Sequence, residues 1–209
     1  MANNPAIKKY IENSELPGYR ANEYLVVLLP HEDLRNRINN IKNELAQKYN
    51  TPKPKSTKPH LALASFSVWE MMEDKLLQKL HVIAMGFPPF KVELKDYSSF
   101  PTHTLFINVQ SKLPIMNLVK NLKEARRLMR CPGKEPFFVE TPYIPISRKL
   151  SDEQYEIAWK EYSHRHFTAS FVADGMLLLK RRAGDRNYQI VQRFEFLNMP
   201  VNIKQAELF

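Results

Sequence analysis

Six histidines are the residues of this sequence best suited to proton chemistry near neutral pH. His60 stands in Lys58-Pro59-His60-Leu61-Ala62-Leu63-Ala64-Ser65-Phe66, at the mouth of an apolar run of strand length. An imidazole held there can take a proton from water or a hydroxyl, or return one to a leaving oxygen. Lys53, Lys55 and Lys58 lead into it, and Lys180, Arg181 and Arg182 follow another apolar run, so an anion would find basic approaches. His103 opens a further strand-like run and could reach the same place. His166-Phe167-Thr168-Ala169 sets a hydroxyl two residues after a histidine. His164 and His166 share a face if extended, a spacing two metal ligands can use, but no carboxylate or cysteine pattern accompanies them. His31 and His81 read as helix positions without a chemical role.

Composition removes several alternatives. The five glycines lie too far apart for G-x-G-x-x-G or a Walker A loop, so a phosphate cradle of backbone N–H groups is not expected. The single cysteine, Cys131, excludes an internal disulfide and a C-x-x-C zinc pattern. The chain of 209 residues is 44% hydrophobic and 25% charged, in keeping with a soluble globular protein. No run has the roughly 18 apolar residues of a membrane span, and the N-terminus has no signal-like apolar core, so a cytoplasmic protein with no membrane partner is expected. Its formal charge of +9 favours acidic partners such as RNA or phosphorylated nucleotides. No protein partner is inferable.

Periodicity places these residues on elements. Residues 23–30 form an apolar strand, and 31–49 follow with Leu34, Ile38, Ile41 and Leu45 at helical spacing. A polar, proline-bearing loop at 50–58 precedes the strand at 60–66. The spacing predicts a helix over 68–85 and a half-buried strand over 90–100. The order then recurs: a strand at 103–110, a helix at 114–129, a strand at 142–150, and a helix at 151–162 with an S-x-x-Q capping box at Ser151. Strand-like runs at 167–181 and 188–197 close the series. The expectation is an α+β fold in one bilobal domain over 1–209, with duplicated strand-helix-strand-helix-strand halves at about 20–100 and 103–198.

A proline-histidine step opening an apolar strand, in the first half of a duplicated α+β chain, resembles the two-histidine phosphoesterases. These include the 2'-5' RNA ligases and 2',3'-cyclic phosphodiesterases. Their mark is one H-x-[ST]-x motif per half, both facing a shared cleft, and the resemblance implies two mainly antiparallel sheets flanking that cleft. It also implies chemistry without cofactor or metal: one histidine deprotonates the attacking water, the other protonates the leaving ribose oxygen, and the hydroxyls hold phosphoryl oxygens.

This sequence departs from the pattern. His60 is present, but Ala62 stands in place of the first hydroxyl. In the second half, Pro142-Tyr143-Ile144-Pro145-Ile146-Ser147-Arg148 resembles the family's P-H-x-T-x-x-R with Tyr143 for the histidine and Pro145 for the hydroxyl residue. A phenol can donate a hydrogen bond but is a poor base at neutral pH. The other alignment takes His166 as the second histidine. Besides His60, the candidates are thus Tyr143 or His166 as second group, with Tyr143, Ser147, Arg148, Lys58 and His103 as substrate contacts. Strict alternation sets Ser147 on the Tyr143 face and Arg148 on the opposite one, unless Pro145 marks a bulge. Lys120, Lys123, Arg127 and Arg130 form a basic helical stripe. The function expected is binding of a nucleotide or RNA phosphate end with weak or lost catalysis. An active cyclic phosphodiesterase is the alternative, and a structural or interaction protein is third.

Overall fold

A computed structural model describes residues 18–50, 58–101 and 103–200. Lys53 and Lys55 fall outside them. The strands are β1 (Ala21–Leu28), β2 (Leu61–Trp69), β3 (Phe90–Phe100), β4 (Thr104–Val109), β5 (Phe137–Phe138), β6 (Tyr143–Arg148), β7 (Thr168–Ala173), β8 (Gly175–Arg182) and β9 (Gln189–Glu195). The helices are α1 (Glu32–Lys48), α2 (Glu73–Met85), α3 (Lys112–Leu122) and α4 (Asp152–Tyr162). Sheet A has the order β5-β2-β1-β8-β9 and sheet B the order β6-β4-β3-β7. Every pairing is antiparallel, so the fold is α+β with two antiparallel sheets.

The helices form where the apolar spacing places them, and their ends are capped as the sequence dictates. The His31 side chain accepts the Leu34 N–H at the start of α1, and Ser151 and Gln154 close a reciprocal capping box at α4. Helix α3 is shorter than the spacing suggests. It ends at Leu122 and passes through a 3₁₀ turn at Lys123–Ala125, so Lys120, Lys123, Arg127 and Arg130 do not form one helical stripe. The run at 167–181 is two strands in different sheets. Asp174 and Gly175 carry the chain across, and an ideal Cβ on Gly175 would lie 2.5 Å from the Phe194 carbonyl oxygen.

The halves interleave. β1 and β2 belong to sheet A, whereas β3 of the same half pairs with β4 and β7 in sheet B. β4 and β6 belong to sheet B, whereas β8 and β9 close sheet A. The first helix of each half covers the opposite sheet: α1 packs on β6, and α3 on β2. Helices α2 and α4 pack on β9 and β4. The core between helices and sheets includes Tyr24, Leu61, Leu76 and Leu80 on sheet A's side, and Ile38, Leu45, Ile107 and Ile144 on sheet B's. An ionic clasp joins α1 to α4: Glu161 accepts Lys48 Nζ at 2.6 Å and the Tyr49 hydroxyl, and Arg165 bridges Glu161 and Glu44. Among the described residues, no helix is long and apolar enough to cross a membrane.

Candidate functional site

β2 and β6 occupy equivalent places, each beside the first strand of its half at one side of the sheet, and the two strands touch. His60 immediately precedes β2. Its Nδ1 lies 2.8 Å from the Lys58 carbonyl oxygen. A carbonyl only accepts, so Nδ1 carries the proton and Nε2 keeps its lone pair. Burial pushes the imidazole pKa down; the Lys58 carbonyl opposes this, while Lys42 and Arg148 push it down further. His60 is therefore neutral at neutral pH, with a basic nitrogen available.

A cavity of about 320 Å³ opens beside it. Val27, Leu177, Leu179 and Ile190 form its aliphatic wall, and Lys58, His60, Asn187 and Tyr188 its polar part. This is the face of sheet A opposite Tyr24 and the α2 start, where the Tyr24 hydroxyl donates to Glu73. Ala62 pairs with Val27, a residue of the cavity wall, and supplies no hydroxyl there. Arg181 stacks on Tyr188, 4.6 Å from its ring centre, and is held by Glu23.

Tyr143 opens β6 and is half-buried. Its ring meets Phe100 edge-on at 5.1 Å and Phe106 at 4.9 Å. Arg148 and Ser147 exchange the faces that alternation predicts. Pro145 pairs with Phe106 and Ser147 with Leu105, which leaves Ile146 as an extra residue in β6. Arg148 consequently pairs with Thr104 and shares the Tyr143 face, whereas Ser147 turns to the Ile144 face. The proline contributes no N–H to the ladder, consistent with the distortion and with β6 being an edge strand.

The remaining histidines stand elsewhere. β4 begins at Thr104, so His103 lies in the β3–β4 turn, exposed, with Nδ1 3.1 Å from the Pro101 carbonyl oxygen. His166 precedes β7, at the side of sheet B away from β6; its side chain is 92% exposed and contacts Asp96 at 3.3 Å. His164 Nδ1 lies 2.8 Å from the Lys160 carbonyl oxygen. By strand order, β6, which Tyr143 opens, is the strand that touches β2, and β7, which follows His166, lies at the other side of sheet B. Of the sequence candidates, only Lys58 and His60 line the cavity. Arg148 acts on His60 through its charge from the side of sheet B.

One residue escapes the sequence reading altogether. Lys42 on α1 is buried, 9% exposed, and its charge also bears on His60. Burial, reinforced by Arg148, pulls its pKa down to about 8, and no carboxylate among the described residues acts on it. The available signal was its position, four residues after Ile38 and three before Leu45 on the apolar stripe of α1. A neutral imidazole with a free nitrogen, influenced by two cations and, among the described residues, by no acid, is suited to an anion whose ester or attacking hydroxyl needs a base.

Comparisons with known proteins bear on the fold and the family. A curated protein of Geobacillus thermodenitrificans, provisionally named a phosphoesterase, is 25% identical over 146 residues, covering 69% of this chain and 79% of its own. Two solved structures share the fold. TT0787 of Thermus thermophilus has a TM-score of 0.57 at 16% identity over 84% of this chain and 98% of that one. LigT of E. coli, complexed with 3'-AMP, has a TM-score of 0.57 at 16% identity over 85% and 98%. The family model of the 2'-5' RNA ligase superfamily matches residues 30–185, from just after β1 to beyond β8. The chain belongs to the 2'-5' RNA ligase superfamily.

Proposed function

We propose that this protein binds a nucleotide or an RNA end through a phosphate seated beside His60, with turnover of that phosphate weak or lost. The observation that carries the reading is the neutral, Nδ1-anchored imidazole at the cavity, under the charge of Lys42 and Arg148. The scale fits a small ligand: about 320 Å³ is at the lower end of cavities that enclose small molecules. E. coli LigT has been crystallised with 3'-AMP, NADP+, ATP and phosphate, ligands that share a phosphoryl group.

The reading of weak turnover is supported by the residues that stand at the motif positions. Ala62 removes one hydroxyl and Pro145 the other, and Tyr143 replaces an imidazole with a phenol packed between Phe100 and Phe106. Loss of one positioned acid–base group lowers a rate by about 10²–10⁴-fold. A second reading, an active metal-independent 2',3'-cyclic phosphodiesterase, is favoured by the free Nε2 of His60, which could activate water.

Incubation of the protein and its His60→Ala variant with a 2',3'-cyclic nucleotide and with an RNA ending in a cyclic phosphate, with and without chelator, decides between them. Binding with little or no hydrolysis is the expected result. Rapid hydrolysis that the variant loses and chelator leaves intact would establish the second reading. Absence of binding by the unmodified protein would overturn both.

A further inference from the structure

The cavity beside His60 is more apolar than a phosphate alone requires. More than half of the residues lining it are aliphatic, and Ile190 among them is 60% exposed. A phosphate gains nothing from such a wall, whereas the flat faces of an organic ring are stabilised by covering it. The polar lining falls into two groups, Lys58 with His60 and Asn187 with Tyr188. The first group precedes β2, whose Leu61 pairs with Leu28. The second precedes β9, whose Gln189 pairs with Lys180, itself the partner of Tyr24. These rows are four residues apart along β1, roughly 13 Å, with β1 and β8 lying between β2 and β9. The aliphatic wall fills the interval, where Val27 pairs with Leu177 and Leu179 with Ile190. A phosphate held at the first group therefore leaves the wall and the second group uncovered.

The second group is set in place by its own neighbours. Arg181 packs on the Tyr188 ring at 4.6 Å, and Glu23 holds Arg181 through Nε at 2.7 Å and a terminal nitrogen at 2.6 Å. Gly184, with φ of +92°, turns the β8–β9 connection, and the Asp185 N–H donates to the Arg182 carbonyl oxygen at 3.0 Å. Among the described residues, none hydrogen-bonds the Asn187 carboxamide or the Tyr188 hydroxyl. We infer that Asn187 and Tyr188 are the base-recognising end of this cavity. A nucleobase lies against Leu179 and Ile190 with its edge at Asn187 and its ring beside Tyr188, while its phosphate meets Lys58 and His60. This rests on the reading of His60 as a phosphate site, and it names the ligand as a nucleoside phosphate rather than a bare or sugar phosphate. A carboxamide offers donors and an acceptor together, which suits the hydrogen-bonding edge of a base. The ring fixed by Arg181 lowers the cost of ordering on binding.

The test is calorimetric titration with inorganic phosphate, ribose 5-phosphate, and the 5'- and 3'-monophosphates of adenosine. The proteins are wild type, His60→Ala, Asn187→Ala, Tyr188→Ala, Tyr188→Phe and, as control, the exposed Lys160→Gln. Wild type should bind at least one of the two monophosphates about tenfold or more tighter than ribose 5-phosphate. Asn187→Ala and Tyr188→Ala should each weaken that nucleotide by about tenfold and leave phosphate unchanged. Tyr188→Phe should keep most of the affinity, and the control all of it. Asn187 is exposed, so its variant reports even if a substitution at Tyr188 disturbs the Arg181 contact. Nucleotide binding no tighter than ribose 5-phosphate, or unchanged in Asn187→Ala and Tyr188→Ala, would overturn the assignment while leaving phosphate at His60. Nucleotide binding that Tyr188→Ala loses and His60→Ala retains in full would keep the base contact and overturn the phosphate reading. An RNA trinucleotide ending in the 3'-monophosphate separates two sources of the ligand: affinity above the mononucleotide marks an RNA end, and equal or lower affinity a free nucleotide.

Discussion

Replacing Lys42 with methionine should stabilise the protein, and the amount can be worked from its position. The folded pKa is pulled from the ordinary 10.5 to about 8. The difference corresponds to roughly 3 kcal/mol of penalty on the charged form in the folded state. Below about pH 8 the ammonium is charged in both folded and unfolded chains, and the whole penalty is present. Between about 8 and 10.5 the folded protein releases this proton first, so the unfolded chain binds more protons and stability rises with pH. Methionine keeps a similar unbranched length and has no charge to desolvate. Lys42→Met should therefore be roughly 3 kcal/mol more stable than wild type at pH 7, a gap that closes as pH approaches 10.5. Urea unfolding of both proteins at pH 7 and at pH 10.5 measures it, with the difference between them cancelling groups that titrate alike. No gain at pH 7, or a gain independent of pH, would refute the reasoning.

Two further outcomes follow from the fold. Gly175→Ala places a Cβ 2.5 Å from the Phe194 carbonyl oxygen and should lower stability by about 1–3 kcal/mol; an unchanged Tm would mean that the chain crossing can shift to admit it. Glu161→Gln should cost roughly 1 kcal/mol at pH 7, because Glu161 is partly exposed in its contacts with Lys48, Tyr49 and Arg165. Those contacts hold its carboxyl below the ordinary 4.5, so their stabilisation is present above that value and fades as pH falls through the folded pKa. Urea unfolding at pH 7 and pH 3 should show the variant's deficit shrinking; an equal deficit at both would rule out the charge as its source.

Local pattern carried much of this structure. The runs at 60–66 and 142–150 are readable as strands because apolar and β-branched residues dominate them over strand length, and the resemblance then attaches His60 and Tyr143 to equivalent places. The Ser151 box was legible because both of its partners lie within one turn. What escaped depends on neighbours distant in sequence. The burial of Lys42 is set by β6 packing over α1; its spacing fits the apolar stripe, but its residue type points to solvent. The face of Arg148 depends on how β6 registers against β4, and Pro145 signals a distortion without saying which residue is extra. The division of 167–181 had a local sign, Asp174-Gly175, but not the information that the strands on its two sides join different sheets. Helix α3 kept buried apolar positions through Ala125 and Met129, so its pattern continued after the helix had ended.

The exchange of strands between halves has a consequence for how the chain comes into being. β1 pairs Asn22 with Arg182 and Val27 with Leu177, so the inner strand of sheet A has no second neighbour until the chain has been synthesised past Arg182. On the ribosome, the first half emerges with β1 open along one edge and with α1 awaiting the β6 surface that covers Lys42. Such distant pairings slow folding and leave a strand edge available to other chains in the meantime. The exchange makes the pocket beside His60 a late product of synthesis: its wall draws on both Val27 and Leu177, and the segment before β4 supplies only the first of them.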